Sequence, residues 1–488
     1  MSEKESFDMP PDEFRAAAHE TADLLADYLA GVGRYDVVPK IAPGDVRKTL
    51  PAAPPERGEA MDAILADYKH LIEPNVTHWN HPGFMAYFAI TGSGPGVLGE
   101  ALAAGLNVNA MLWRTGPAPT ELEELVCDWL RQMVGLPPEF KGHINDTASI
   151  ATLLSLAAAR HRLPGLDIRT KGMAGRGDVP PLTIYCSDQA HSSVDKAAIT
   201  LGLGTENVRK IPSDALFRMD VAALRDAITL DRTAGCLPVA VVATAGTTST
   251  TSVDLLRAIG ELCRAEKLWL HVDAAYAGSA CICPEFRALL DGLELADTIV
   301  LNPHKWLFTP VDCSVLLARE PDALKNAFAL VPEYLKTSDA GATNLMDYGV
   351  QLGRRFRALK LWFVIRYFGV EGLRERIRAH CALAQEFKQW VEGEPAFELC
   401  APVPFSTVCF RSMPEQLKTD PAALDRFNEK LLAEVNAAGP VFLSSTKLRG
   451  RVVLRLTVGN LRTTREHVAK ASELLKRCAD EAQPRPSK

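Results

Sequence analysis

Residues 268–275 read Leu268-Trp269-Leu270-His271-Val272-Asp273-Ala274-Ala275, a short apolar run that stops on a carboxylate. An unpaired carboxylate is costly to bury, so an acid closing such a run calls for a partner. Three other runs have the same form. Leu182 to Cys186 leads into Ser187-Asp188-Gln189-Ala190-His191, Val239 to Thr244 into Ala245-Gly246-Thr247-Thr248, and Thr298 to Leu301 into Asn302-Pro303-His304-Lys305. Helical stretches separate these runs, so the middle of the chain is expected to be α/β, a largely parallel sheet covered by helices. Ligands of such sheets bind beyond the carboxyl ends of the strands. The four polar clusters are therefore expected to converge on one site.

Outward from this centre the pattern changes. Phe14 to Leu29 has apolar residues at helical spacing behind the capping candidate Asp12, and a second helical pattern runs through Met61, Ile64, Leu65, Tyr68, Leu71 and Ile72. A Pro-rich link joins them, so this arm needs the main body or a partner subunit to pack on. Beyond Val370 the spacing predicts helices over 373–391 and 422–438 with short strands near 407–410 and 452–457. The expected division is an arm over 1–86, a large domain over 87–370 and a smaller α+β domain over 371–488.

Composition narrows the class of partner. The 488 residues are 47% hydrophobic and 23% charged, with a formal net charge of −6 and no long charged block. Nothing here calls for nucleic acid or a membrane surface, which leaves a small molecule. No apolar stretch approaches the roughly 20 residues of a membrane span. The N-terminal residues are charged rather than signal-like. Eleven cysteines have no paired spacing beyond Cys281 and Cys283, which are too close for a usual zinc knuckle, so they read as core thiols of a reduced, cytoplasmic protein, and no metal site is expected.

The chemistry lies in the clusters. Lys305 just past a buried strand is a lysine whose pKa burial could depress enough for imine formation. Asp273 either caps the next helix or pairs with a buried cation. Thr147-Ala148-Ser149 opens a helix expected over 150–160, where free N–H groups suit a phosphate, although such residues also serve simply as caps. A lysine, a buried acid and an anion cradle are together what a pyridine-ring aldehyde cofactor requires. His191 at another strand end could lie over such a ring.

Four segments carry a closer likeness: Asn302-Pro303-His304-Lys305-Trp306, His271 to Ser279, Asp188 to Val194, and Leu352-Gly353-Arg354-Arg355-Phe356-Arg357. In these the chain resembles the group II pyridoxal-phosphate decarboxylases, in their aromatic-L-amino-acid decarboxylase branch, over nearly its whole length. The resemblance implies an aspartate-aminotransferase-type (fold type I) architecture with a mostly parallel seven-stranded central sheet, and a homodimer whose N-terminal arms wrap onto the partner. It implies pyridoxal 5'-phosphate held as a Schiff base on Lys305, with Asp273 on the ring nitrogen and His191 stacked on the ring. It matches Ala148, Ser149 and Asn302 to phosphate-binding positions, Thr248 and His304 to positions near cofactor and substrate, and Ala275 to one packed on the ring. It singles out Tyr334 as the proton donor to the substrate carbon, within a segment from Tyr334 to Tyr348 that reads as a mobile loop.

The implied activity is decarboxylation of an L-amino acid, aromatic by the match of Trp79, Tyr87 and Phe88. Ile90, Asn109 and Met111 depart from that branch in the same substrate pocket, and Asn109 is expected to hydrogen-bond a ring substituent or reshape the pocket. The alternatives are an aldehyde-forming relative, an acidic amino-acid decarboxylase and a catalytically silent cofactor-binding protein. His191 and Tyr334 favour plain decarboxylation, since the aldehyde-forming relatives often carry other residues at these two positions.

Overall fold

The computed structural model describes residues 8–330 and 341–482. A seven-stranded sheet forms its centre, built from β1 (Lys141–Asn145), β2 (Leu182–Ser187), β3 (Val208–Ile211), β4 (Leu237–Thr244), β5 (Trp269–Asp273), β6 (Thr298–Leu301) and β7 (Ser314–Ala318). The strands lie in the order β1-β7-β6-β5-β4-β2-β3. Only β7 runs against the others, antiparallel to both β1 and β6. The mostly parallel seven-stranded sheet expected from the resemblance is thus present. The four strands expected from the residues are β2, β4, β5 and β6, and they lie side by side.

Those four strands are mostly apolar and almost wholly buried because both faces are covered. Alternation along the pleat sends Val241 and Ala243 of β4, Leu270 and Val272 of β5, and Ile299 and Leu301 of β6 into one core. Ala240, Val242, Trp269 and Val300 enter the core on the other face. Three strands escape the sequence pattern. β1 and β3 are sheet edges with mixed polarity, and β7 is a fully buried apolar run whose pattern suits a helix equally well.

A second sheet, in the order β10-β11-β9-β8, comprises β8 (Phe397–Leu399), β9 (Thr407–Ser412), β10 (Ser444–Leu448) and β11 (Arg451–Thr457), and all its pairings are antiparallel. The chain reverses between β10 and β11 on Arg449 and Gly450, both at positive φ, as a tight hairpin turn requires. Helices Pro421–Ala437 and Arg465–Ala482 pack on this sheet. The helix expected over 373–391 is part of a longer element, Arg357–Gly393, interrupted at Gly369, whose φ of 65° and ψ of 169° are not helical.

The first arm helix runs Pro11–Gly31. The second is shorter than its apolar spacing predicts: α-helix covers only Met61–Asp67, and a wider π turn follows over Tyr68–Ile72. Pro74, which lacks an N–H, stands just beyond and cannot continue an α-helical ladder. Tyr28 Oη and His78 Nδ1 lie 3.1 Å apart, and Tyr35 Oη donates to Glu73 at 2.5 Å, which ties the first arm helix and the turn after it to the segment that follows the second. No helix among the described residues is long and apolar enough to cross a membrane.

Candidate active site

Lys305 sits on a helical turn, Pro303–Trp306, immediately after β6. Its neighbours are anchored on both sides. His304 Nδ1 accepts the Cys313 N–H at 2.9 Å, and the Asn302 side-chain oxygen accepts the Ser314 hydroxyl at 2.6 Å. Trp306 is fully buried, donates its indole N–H to His380 at 3.0 Å and stacks on Tyr276 at 4.6 Å. A rigid base therefore carries the one long flexible side chain of the turn. Burial lowers the pKa of Lys305, and the negative charge of Asp273 opposes that shift.

Asp273 ends β5, is 8% exposed, and accepts the Ala275 N–H at 3.1 Å. That local turn satisfies one oxygen. No cation lies within ion-pairing distance of the carboxylate among the described residues, so its capping role and a partner in the cleft are compatible. Ala275 is buried, and its carbonyl accepts the Asn302 N–H at 3.1 Å, which joins the ends of β5 and β6.

His191 follows β2, and its Nδ1 accepts the Ser193 N–H at 3.1 Å. Part of its ring is exposed, yet desolvation is the largest influence on it and lowers its pKa, with Asp273 raising it and Lys305 lowering it. The charges of Asp273 and Lys305 thus both reach His191, and the strand-end clusters of β2, β5 and β6 do converge. Burial brings His304 down to about 3, so its imidazole is neutral at working pH.

The β4 cluster is used differently. Thr247 Oγ1 lies 2.9 Å from Thr250 Oγ1 and accepts the Ser252 N–H at 3.1 Å, a closed turn. Thr248 is exposed, and its carbonyl accepts from Arg455 at 2.8 Å. Arg455 was not anticipated. It reaches over from β11, is 4% exposed, also donates to the Ser249 carbonyl at 2.7 Å and to the Ser444 hydroxyl at 3.1 Å, and has no carboxylate partner among the described residues. An arginine inside Val452-Val453-Leu454-Arg455-Leu456 was the available signal. At the end of β4 the buried Thr244 hydroxyl lacks a hydrogen-bond partner, as does that of Ser193, and Thr244 stands in register with Asp273.

The helix expected to cradle an anion begins at Ala148 and ends at His161, with Thr147 as its N-cap accepting the Ile150 N–H at 3.4 Å. Thr147 is a cap. Ala148 and Ser149 are part-exposed in the first turn, where backbone N–H groups have no intrahelical acceptor.

The six substrate-pocket candidates separate. Phe88 lies with its ring centre 5.2 Å from the Lys305 ammonium and 5.5 Å from the Arg455 guanidinium, stacked on Tyr276 at 3.9 Å. Trp79 stacks with Tyr87 at 6.1 Å, and Ile90 is half-buried two residues beyond Phe88. Asn109 and Met111 belong to a different neighbourhood. The Asn109 side-chain oxygen accepts the Arg354 N–H at 3.0 Å, its amide points to Met111 sulfur at 3.5 Å, and the Met111 carbonyl accepts the Met346 N–H at 3.1 Å. Tyr334 lies outside the described residues. Of the loop expected up to Tyr348, Leu345–Tyr348 is a 3₁₀ turn with Leu345, Met346 and Asp347 buried, so that end is packed rather than mobile.

The segment Leu352 to Arg357 is structural. Arg354 pairs with Glu123 in the interior and donates to the Ile144 carbonyl at 2.9 Å, while Arg357 holds Asp312 through two bonds of 3.1 and 3.0 Å.

The donor set fits a pyridine aldehyde phosphate. A lysine whose pKa burial lowers and a buried carboxylate stand at neighbouring strand ends without an ion pair among the described residues, the hydroxyls of Thr244 and Ser193 are buried and unpartnered, and a helix N-terminus lies at the end of β1. With the sheet order, this defines a fold type I pyridoxal-phosphate enzyme. A family model for the pyridoxal-dependent decarboxylase conserved domain matches residues 43–413. Aromatic-L-amino-acid decarboxylase of Sus scrofa is 42% identical over 485 residues, 97% of each chain. Phenylacetaldehyde synthase of Arabidopsis thaliana is 40% identical over 96% of each chain. The crystal structure of Catharanthus roseus tryptophan decarboxylase in complex with L-tryptophan superposes with a TM-score of 0.90 at 37% identity, covering 97% of this chain and 99% of that one. The chain belongs to the pyridoxal-dependent decarboxylase family, and it is a carboxy-lyase with pyridoxal phosphate as cofactor.

Proposed function

We propose that this enzyme removes the α-carboxylate of an aromatic L-amino acid as carbon dioxide and releases the corresponding amine. The observation that carries this reading is Phe88, an aromatic ring 5.2 Å from the Lys305 ammonium. Aromatic walls favour a planar apolar side chain over an acidic one. The substrates named for the Sus scrofa and Catharanthus roseus relatives support the same class.

Lys305 would hold the cofactor aldehyde, Asp273 would pair with its ring nitrogen, and His191 and Ala275 would lie against the ring. Ala148, Ser149 and Asn302 would take the phosphate, with Thr248 and His304 close to cofactor and substrate. Bound pyridoxal phosphate supplies an electron sink for the pair left on the α-carbon when carbon dioxide departs. Burial keeps Lys305 nearer its neutral, nucleophilic form. Asp273 would hold a proton on the ring nitrogen through a charge-assisted hydrogen bond. Phe88, backed by Tyr276 and Trp306, sets an apolar wall beside the lysine. Delivery of a proton to the α-carbon falls to Tyr334 by resemblance.

A homodimer is part of this reading. Leu98, Leu102 and Leu106 form an exposed stripe on one helix, at 62%, 54% and 60%, and Phe14 on the arm is 65% exposed. The division into 1–86, 87–370 and 371–488 is supported by the helix break at Gly369. Eleven free thiols support a cytoplasmic setting.

The test is to incubate the holoenzyme with the standard amino acids, dihydroxyphenylalanine and 5-hydroxytryptophan, and to identify products by mass spectrometry. Aromatic amines with equimolar carbon dioxide and no hydrogen peroxide are expected. Aldehyde with stoichiometric peroxide would replace this reading by that of an aldehyde synthase, and an amine from glutamate alone would overturn the aromatic class.

A further inference from the structure

At the end of the sheet away from Lys305 lies a second concavity, of about 530 Å³. It is bounded by the starts of β4 and β5, the approach to β6, and the C-terminal ends of the helices Ala148–His161 and Leu256–Glu266. The floor is apolar, with Leu268, Leu270 and the buried Trp269. Four cations and one carboxylate line the walls: Arg162, Arg264, Lys267 and Arg319 against Asp297.

The single acid is already engaged. Asp297 accepts the Leu270 N–H at 2.7 Å and lies 3.6 Å from Arg162, whose guanidinium also sits 5.2 Å from the centre of the Trp269 ring. Arg319 donates to the carbonyls of Ala296 and Glu294. Arg264 and Lys267 make no ion pair and no side-chain hydrogen bond among the described residues. Complementing a helix C-terminus accounts for Arg264 and in part for Lys267. It does not account for Arg319, which follows β7.

We propose that this cavity binds a small organic anion, with an aromatic body over the apolar floor and the Arg162 guanidinium that covers Trp269, and a phosphate or carboxylate head among Arg162, Arg264 and Lys267. Its volume is in the range of about 300–1,000 Å³ that accommodates small ligands, which makes a nucleoside monophosphate a suitable size of probe. The location has a consequence for the active site. β5 begins in this cavity at Trp269 and ends on Asp273, roughly 13 Å away at the rise of a strand. Asp297 directly precedes β6, which leads to Lys305. An occupant would rest on the two strands that carry the reacting groups.

Adenosine monophosphate, adenosine and inorganic phosphate would each be titrated calorimetrically into the holoenzyme, into the Arg264→Ala/Lys267→Ala variant and into Lys305→Ala, with tryptophan fluorescence recorded in parallel. Both substituted rim positions are exposed, so the double variant should fold. The expected result is one saturable monophosphate site per chain, at least about tenfold weaker in the rim variant, the loss of charge-assisted bonds, and unchanged in Lys305→Ala. Adenosine should bind more weakly than the monophosphate. No saturable binding, equal affinity in the rim variant, or loss of binding in Lys305→Ala would overturn the proposal, and phosphate binding as tightly as the monophosphate would overturn the role given to the apolar floor.

Discussion

The Lys305 ammonium and the Asp273 carboxylate project from the ends of adjacent parallel strands, and neither has an ion-pair partner within 4 Å among the described residues. Opposite charges drawn out of water without pairing to each other are expensive unless another group partners them. A pyridine ring with an aldehyde at one end and a nitrogen at the other is such a group, and the lysine and the carboxylate suit its two ends.

Asp273→Asn should therefore weaken cofactor retention more than it weakens the fold. Replacing the carboxylate removes a charge-assisted bond of about 1.5–3 kcal/mol, or roughly ten- to a hundredfold in cofactor affinity. Equilibrium dialysis against free pyridoxal phosphate measures this directly, and Asp273→Glu should recover part of the loss. Equal retention by wild type and Asp273→Asn would remove Asp273 from the cofactor's partners.

Arg354 and Glu123 test the structural reading of the 352–357 segment. Burial raises the Glu123 pKa in spite of the adjacent guanidinium, so desolvation outweighs the pairing. Arg354→Met alone should destabilise the protein by about 3–5 kcal/mol, because it strands a buried carboxylate, whereas Glu123→Leu with Arg354→Met should regain most of that. Denaturant melts of the two single variants and the double variant give the coupling; additive losses would contradict it.

His271 sets a pH dependence. It is fully buried between Thr298 at 2.9 Å and Thr152 at 3.3 Å, and burial brings its pKa down to about 4 from an ordinary 6.5. The unfolded chain takes up the proton first as pH falls, so the stabilisation is complete above 6.5 and is lost progressively between 6.5 and 4. Each pH unit in that window costs up to about 1.4 kcal/mol. His271→Asn should flatten the slope of apoenzyme stability over that range, and an unchanged slope would assign the acid sensitivity to other groups.

What could be foreseen followed the physics of each segment. The four side-by-side strands announced themselves through short, mainly apolar runs that end in polar clusters, and the clusters of β2, β5 and β6 met as sheet topology requires. β7 lacked a distinguishing period, and the edge strands β1 and β3 were too polar to stand out. Arg455 was missed because its role depends on a loop about two hundred residues away in the chain, at Thr248 and Ser249. Asn109 and Met111 show the converse limit: a match to a pocket position does not disclose that Asn109 accepts the Arg354 N–H and that the Met111 carbonyl accepts the Met346 N–H.

Reduction of the holoenzyme with borohydride, followed by proteolysis and peptide mass spectrometry, tests the central assignment most directly. The account predicts a single reduced pyridoxyl-phosphate label on Lys305, and its loss with the visible cofactor absorbance in Lys305→Ala. A label on another lysine, or an unchanged spectrum in Lys305→Ala, would contradict it.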